Sequence, residues 1–218
     1  IKPENPKTDV PTVFAPGWGE TPEVFKDSIR VMSELDRRIL SFKHPRRGKE
    51  PESQDDLPAA ELRKAMALLS VLENKGIIKV DAVAHSEGAI NVSIAASLFP
   101  EKFRNIVFVA PGGLIGEDKF LKLAGRFSLN IIRGALEVLS GPETRKSLLR
   151  AGQESGKYVL ANPLRALKEA VAISESEIHE MLKNLHEQGI GIAVVHGVDD
   201  PVFPMKKMQE VVEKDQLD

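Results

Sequence analysis

Cysteine is absent from this chain of 218 residues. Its absence excludes disulfide scaffolds, thiolate metal sites and cysteine nucleophiles. It does not identify a compartment, because a chain of this length can bury a sufficient core without disulfides. A cytoplasmic location is the working expectation, but secretion is also compatible, and the start at Ile1 rather than Met leaves open a removed leader.

An excess of charge of either sign is also lacking. The 30 Lys and Arg residues face 32 Asp and Glu residues, which gives a formal net charge of −2. No long block of like charge is present, so the electrostatic pattern of nucleic-acid-binding proteins is missing. No stretch approaches the ~20 apolar residues of a membrane-spanning helix. The sequence therefore predicts neither nucleic acid nor membrane partners, and it leaves the oligomeric state open.

The chain does contain short β-branched runs that alternate with longer segments of helical period. Several runs are apolar on consecutive residues, as in Ile106–Val109 and Ile192–Val195, which is typical of parallel strands covered on both faces. This pattern predicts an α/β fold with a mostly parallel sheet flanked by helices. The five predicted strands are Val10–Phe14, Arg38–Phe42, Lys79–Ala84, Asn105–Ala110 and Ile190–Val195.

Two of the predicted helices have recognisable ends. Thr21-Pro22-Glu23 offers an N-cap, a proline at the first helical position and an acid in the first turn. The segment from Pro58 to Lys75 has the same organisation, and Gly76 acts as its stop. Apolar residues recur along one side of this second helix, which predicts its buried face as Leu62, Ala65, Met66, Leu69 and Leu72.

Residues 116–189 break the alternation, because they are rich in helix formers and contain no convincing strand. We interpret them as a helical cap inserted into a core formed by residues 1–115 and 190–218; ordinary crossover helices are the alternative. The residues predicted to divide this segment into short helices are Gly134, Ser140-Gly141-Pro142, Gly152, Gly156 and Asn162-Pro163.

A candidate nucleophile follows the third predicted strand. The strand runs directly into Ala84-His85-Ser86-Glu87-Gly88, and a helix of small and apolar residues begins at Ala89. A nucleophile on a tight strand-to-helix turn needs small residues two positions to either side, and Ala84 and Gly88 meet that need. The N-terminus of the following helix also directs backbone N–H groups toward the serine, which favours a developing negative charge.

At these residues the chain resembles the α/β-hydrolase superfamily, in particular serine hydrolases and esterases with a helical cap. The resemblance implies that Ser86 is the nucleophile and that the backbone N–H of Glu87 is one donor of the oxyanion hole. It also implies that the Gly-rich loop Ala15–Gly19 supplies the second donor, the backbone N–H of Trp18. Ala84 and Pro16 depart from the family pattern, which more often has Gly and His at these positions.

The segment Val195–Pro204 resembles the family's Gly-x-x-Asp-x-x-x-Pro segment. The resemblance implies that Asp200 is the acid that orients the catalytic imidazole, with Asp199 as the neighbouring alternative. In this superfamily a histidine follows the acid along the chain, but no histidine follows His196 here. Residues Met205–Asp218 are predicted to form the helix that precedes the family's last strand. We therefore expect a chain truncated at the C-terminus, whose final strand, helix and catalytic histidine are missing.

The sequence is compatible with three functions. The first is a serine hydrolase that cleaves a carboxylic ester, or a related acyl bond, of a small apolar substrate. The second is a non-catalytic protein that binds a ligand or partner through the same pocket, and the third is a carbon–carbon hydrolase or perhydrolase. No metal-ligand spacing or nucleotide motif is present, so no cofactor is predicted. The residues predicted to wall an apolar acyl pocket are Phe120, Leu123, Phe127, Leu129, Ile131 and Ile132.

Overall fold

The computed structural model describes residues 8–35, 37–43, 59–115, 125–126, 142–161, 163–200 and 202–215. Within these residues the strands form a five-stranded parallel sheet in the order β2-β1-β3-β4-β5. All five predicted strands are confirmed, and no end is displaced by more than two residues. The strands are β1 (Thr12–Ala15), β2 (Ile39–Ser41), β3 (Val80–His85), β4 (Phe103–Val109) and β5 (Gly191–Val195).

Helices connect the strands and cover the sheet. In chain order they are α1 (Lys26–Glu34), α2 (Ala59–Asn74), α3 (Gly88–Leu98), α4 (Pro142–Ala161), α5 (Pro163–Glu175), α6 (His179–Glu187) and α7 (Met205–Asp215). The predicted helices at 58–75, after Gly88 and from Met205 are confirmed. Between β4 and β5, the described part of the chain contains helices and no strand.

Two details of the helices differ from the prediction. Helix α1 begins later than Thr21, because Val24 and Phe25 first donate to carbonyls three residues back, in tight turns. Helix α4 runs without a break through Gly152 and Gly156, which therefore do not divide it. An interior glycine costs a helix only about 1 kcal/mol, which twenty residues of helix can absorb. Helix α4 ends at Ala161 and α5 begins at Pro163, to either side of the predicted division, and Asn162 itself lies outside the described residues.

Helix α2 is buried more completely than its apolar pattern predicts. Leu62, Ala65, Leu69 and Leu72 are buried as expected, but Met66 is 43% exposed. Three charged residues of the same helix are buried instead: Glu61, Arg63 and Lys64. They lie between α2 and its neighbours α3 and α5, so the polar side of this helix faces protein rather than water.

Strand β5 also differs from expectation. Its apolar run predicts burial on both faces, but Val194 is 45% exposed and Val195 is 55% exposed. The physical reason is its place in the sheet, since β5 pairs with β4 on one side and forms the edge of the described sheet.

Helices α4, α5 and α6 fall in the segment predicted to be a cap, and the division between cap and core stays a prediction. The predicted dividing residues Gly134, Ser140 and Gly141 lie outside the described residues. None of the described helices is both long and apolar enough to cross a bilayer.

Candidate active site

Ser86 occupies a strained turn between β3 and α3. Its φ is +52°, a left-handed conformation that a residue with a side chain seldom adopts. Neighbouring segments hold it there: the Ser86 N–H donates to the Val109 carbonyl at 3.0 Å, and the Ser86 carbonyl accepts from Gly112 at 3.0 Å. A strained backbone persists only where its surroundings over-determine it, as these bonds do here.

Gly88 allows this turn to approach the loop after β1. A Cβ at position 88 would lie 2.5 Å from the carbonyl oxygen of Ala15 and 2.8 Å from that of Pro16. Both obstacles are backbone atoms, which cannot move aside as the end of a side chain can. Position 88 therefore requires a small residue, as predicted, because the start of α3 contacts the Gly-rich loop there.

The Gly-rich loop passes directly beside the nucleophile. A Cβ on Gly17 would lie 3.0 Å from the Cβ of Ser86 and 2.7 Å from Oε2 of Glu20. The Gly17 N–H donates to this Glu20 oxygen at 2.8 Å, and Nδ1 of His85 lies 2.9 Å from the same oxygen. Sequence reasoning missed Glu20. Its only signal is an acid three residues after a loop glycine, a common spacing for bonds from backbone to side chain.

Three of the four predicted site residues line one cavity of about 340 Å³: Ser86, Trp18 and Asp200. The side chain of the fourth, Glu87, is 1% exposed and points into the protein, so only its backbone faces the turn. As the residue before the first turn of α3, Glu87 has an N–H for which the helix offers no carbonyl partner. The other residues that line the cavity are Glu20, His85, Ala110, Ser155, Gly197, Val202 and Phe203.

Asp200 is held by its own loop. Its Oδ1 accepts hydrogen bonds from the N–H groups of Val202 at 2.7 Å and Phe203 at 3.0 Å. Both bonds fall on the same oxygen, which leaves Oδ2 to accept from another group. The alternative acid, Asp199, is exposed and is not part of the cavity wall.

Among the described residues, His85 is the histidine that lines the cavity with Ser86. His196 is not among the residues that line this cavity, and its Nε2 lies 2.6 Å from the carbonyl oxygen of Phe203. His179 pairs with Glu177 at 2.7 Å, and His186 lies exposed on α6.

Two further predictions concern the acyl pocket and metal binding. The six apolar residues predicted to wall the acyl pocket, Phe120, Leu123, Phe127, Leu129, Ile131 and Ile132, lie outside the described residues. Within the part of the chain that the structure describes, no three His, Asp or Glu side chains are grouped so as to hold a metal ion.

Comparison with known proteins finds similarity in structure rather than in sequence. No family model and no curated protein sequence matches the chain. A bromoperoxidase from Bacillus anthracis is similar with a TM-score of 0.69 and 16% identity, over 96% of this chain and 82% of that one. A hydrolase from Oleispira antarctica has a TM-score of 0.66 and 14% identity, over 96% and 80%. An esterase from a Rhodococcus species has a TM-score of 0.65 and 21% identity, over 94% and 78%.

Proposed function

We propose that this chain, which has the α/β-hydrolase fold, is a serine hydrolase that cleaves a carboxylic ester, or a related acyl bond, of a small apolar substrate. The observation that carries the proposal is the left-handed φ of +52° at Ser86, in a residue that shares one cavity with Asp200 and Trp18. A strained serine at a strand-to-helix turn has an exposed hydroxyl, as a nucleophile requires.

In the proposed reaction Oγ of Ser86 attacks the carbonyl carbon and gives its proton to an imidazole base. The oxyanion that forms accepts hydrogen bonds from the backbone N–H groups of Trp18 and Glu87. The alcohol then leaves with the proton from the imidazole, and the acyl group stays on Ser86. Water, activated by the same base, hydrolyses this acyl-enzyme and restores the serine.

Asp200 serves as the acid that orients the imidazole. Its Oδ1 is occupied by two backbone N–H groups, so Oδ2 is the oxygen that receives the imidazole N–H. The base in this proposal is an imidazole that, in the superfamily order Ser, Asp, His, follows the acid along the chain. His85 does not serve as this base in the described structure, because no hydrogen bond joins its ring to Oγ of Ser86; its Nδ1 contacts Glu20.

The cavity favours a small, largely apolar substrate. Trp18, Val202 and Phe203 supply apolar surface to its wall, and about 340 Å³ is close to the lower end of the usual size of ligand pockets. Short acyl esters are therefore the preferred class.

The test is turnover of p-nitrophenyl butyrate by the complete natural protein, whose C-terminal sequence is determined first. We expect Ser86→Ala to abolish turnover and labelling by a fluorophosphonate, whereas Ser97→Ala, on the exposed side of α3, leaves both unchanged. Asp200→Asn should lower kcat by about 10⁴-fold, because the imidazole loses its orienting acid. Retained turnover in Ser86→Ala would exclude the proposal.

One observation favours a second candidate, a non-catalytic ligand-binding protein. The described residues place no histidine beside Ser86 other than His85, which is paired with Glu20. If the natural protein neither hydrolyses short esters nor reacts with a fluorophosphonate, binding of short-chain carboxylates or esters to the same cavity becomes the function to measure.

A further inference from the structure

The carboxylate of Glu87 is anchored away from the cavity by a buried lysine. Glu87 follows the nucleophile, and its carboxylate contacts the ammonium group of Lys64 on α2. Both side chains are 1% exposed. The backbone donor proposed for the oxyanion hole therefore belongs to a residue whose side chain is fixed by a charge on a neighbouring helix.

Lys64 is the centre of a buried charge cluster. Its Nζ lies 3.5 Å from Oε1 of Glu169 and 3.8 Å from Oε1 of Glu61. Burial alone would lower the pKa of Lys64, but the negative charges of Glu87, Glu61 and Glu169 raise it above its ordinary value, so the ammonium stays charged. The buried charge cluster consists of Glu61, Arg63, Lys64, Glu87, Arg165 and Glu169.

The cluster extends to the helices that cover the Gly-rich loop. Glu169 on α5 accepts hydrogen bonds from Arg63 and Arg165, each at 3.0 Å, and from the hydroxyl of Tyr158 on α4. The ring of Tyr158 packs edge-on against Trp18, with ring centroids 6.2 Å apart. The residues that carry both proposed oxyanion donors, Trp18 and Glu87, are thus connected through one set of side chains.

Little free space separates the cluster from the loop. A cavity of only about 20 Å³ lies where Gly17 and Gly19 face Lys64, Glu87 and Tyr158. This volume is enough for one water molecule at most. A shift of the Lys64 side chain would therefore be transmitted to the loop or to the turn that carries Ser86.

We propose that Lys64 is a positioning residue of the oxyanion hole: its ammonium group fixes Glu87, and through Glu169 and Tyr158 it links the turn at Ser86 to the loop that carries Trp18. This inference rests on the proposed hydrolase function for its catalytic consequence. Lys64 itself does not touch the cavity around Ser86.

The test replaces Lys64 and Glu87 together. Lys64→Met alone would leave Glu87 buried without a partner, which can unfold a protein, whereas apolar replacement of both charges is generally tolerated. The main variant is therefore Lys64→Met with Glu87→Met, in which Glu169 keeps Arg63 and Arg165 as partners. The matched control is Arg30→Met with Glu34→Met, an exposed pair on α1.

With p-nitrophenyl butyrate we expect the main variant to lower kcat by about 10- to 100-fold with KM within about twofold, because the donors are displaced rather than removed. Lys64→Arg keeps the charge but changes its reach, and it should fold while lowering kcat. Unchanged kcat in both Lys64 variants would overturn the inference.

Hydrogen exchange gives a readout that does not depend on turnover. The Ser86 and Gly112 amides, which hold the turn together, should exchange faster in the Lys64 variants, whereas amides inside β4 should not change. If the wild-type protein fails to hydrolyse esters, the proposed function fails, but faster exchange at the turn still supports the positioning role. Unchanged exchange at Ser86 and Gly112 would contradict that role whether or not the protein is active.

Discussion

One carboxylate oxygen of Glu20 lies 2.9 Å from Nδ1 of His85 and 2.8 Å from the backbone nitrogen of Gly17. His85 immediately precedes Ser86, and Gly17 immediately precedes Trp18. A single side chain therefore joins the turn that carries the nucleophile to the loop that carries the second proposed oxyanion donor. Because Glu20 is only 17% exposed, water is a poor replacement for these bonds.

We expect Glu20→Ala to lower kcat for p-nitrophenyl butyrate by about 10- to 100-fold. The loop loses the acceptor for Gly17, and a displacement of the donors by a fraction of an ångström weakens stabilisation of the oxyanion. Glu20→Gln should lower kcat by a smaller factor, since its amide oxygen still accepts a hydrogen bond from the Gly17 N–H.

The control for the two Glu20 variants is Glu23→Gln. Glu23 lies three residues further along the chain, and its exposed carboxylate pairs with Lys43. This control should leave kcat unchanged. Equal kcat in wild type and Glu20→Ala would show that the Glu20 bonds do not position the loop.

Gly88→Ala is expected to destabilise the fold by about 2–3 kcal/mol, because its Cβ would meet two backbone carbonyl oxygens that cannot yield. Gly152→Ala is the matched comparison. It lies in α4 with no atom within 4 Å of the added Cβ, so it should stabilise the protein by about 0.5–1 kcal/mol. Urea unfolding measures both, and equal effects would refute the role assigned to Gly88.

The stabilising effect of Glu61→Gln on the fold should increase as the pH rises. Burial, and next the negative charge of Glu87, raise the pKa of Glu61 well above its ordinary 4.5, so the folded protein binds this proton more tightly than the unfolded chain does. The unfolded chain releases this proton above pH 4.5, so the free energy of unfolding falls as the pH rises. Glutamine stays neutral at every pH and removes this loss.

Urea unfolding at about pH 5, 7 and 9 tests the expectation. The free energy of unfolding of Glu61→Gln relative to wild type should increase along this series, whereas Glu73→Gln, exposed on the same helix, should show no trend. A difference that decreases with pH would mean that Glu61 is ionised in the folded protein.

Asp81→Asn is expected to cost about 1–2 kcal/mol at pH 7, since hydrogen bonds to a charged group are lost but the arginine partners are partly exposed. Burial alone would raise the pKa of Asp81, but hydrogen bonds from Arg104 and Asn105 and the charge of Arg37 hold it below its ordinary 3.8. The ionised carboxylate of Asp81 therefore stabilises the fold above pH 3.8. This stabilisation is lost as the pH falls through the lower pKa that Asp81 has in the folded protein. The cost should therefore shrink toward about pH 3 in unfolding experiments. A cost of the same size at about pH 3 would argue against this origin.

Much of the fold follows from local patterns. The apolar runs at Ile106–Val109 and Ile192–Val195 predict strands, because consecutive β-branched and aromatic residues favour extended backbone. Ala84, Ser86 and Gly88 predict the turn between β3 and α3, since the need for small neighbours is visible in the residues themselves.

What the sequence could not reveal depends on partners that are distant along the chain. Lys64 and Glu169 are far apart in sequence, and no periodicity indicates that the charged side of α2 faces α3 and α5. The exposure of Val194 follows from the place of β5 at the edge of the described sheet, which its own residues do not encode. Glu20 is a third example, because its importance arises only where the loop meets His85.

Trp18 and Tyr158 are the single tryptophan and the single tyrosine of the sequence, and their rings meet edge to face at an interplanar angle of 77°. The tryptophan and tyrosine fluorescence of the protein therefore originates from this one pair, of which Trp18 lines the cavity around Ser86. Energy absorbed by Tyr158 passes to Trp18 over a few ångströms, so any separation of α4 from the Gly-rich loop would change the emission. Because Trp18 lines the cavity around Ser86, we expect a ligand bound there to change the emission of the unlabelled protein.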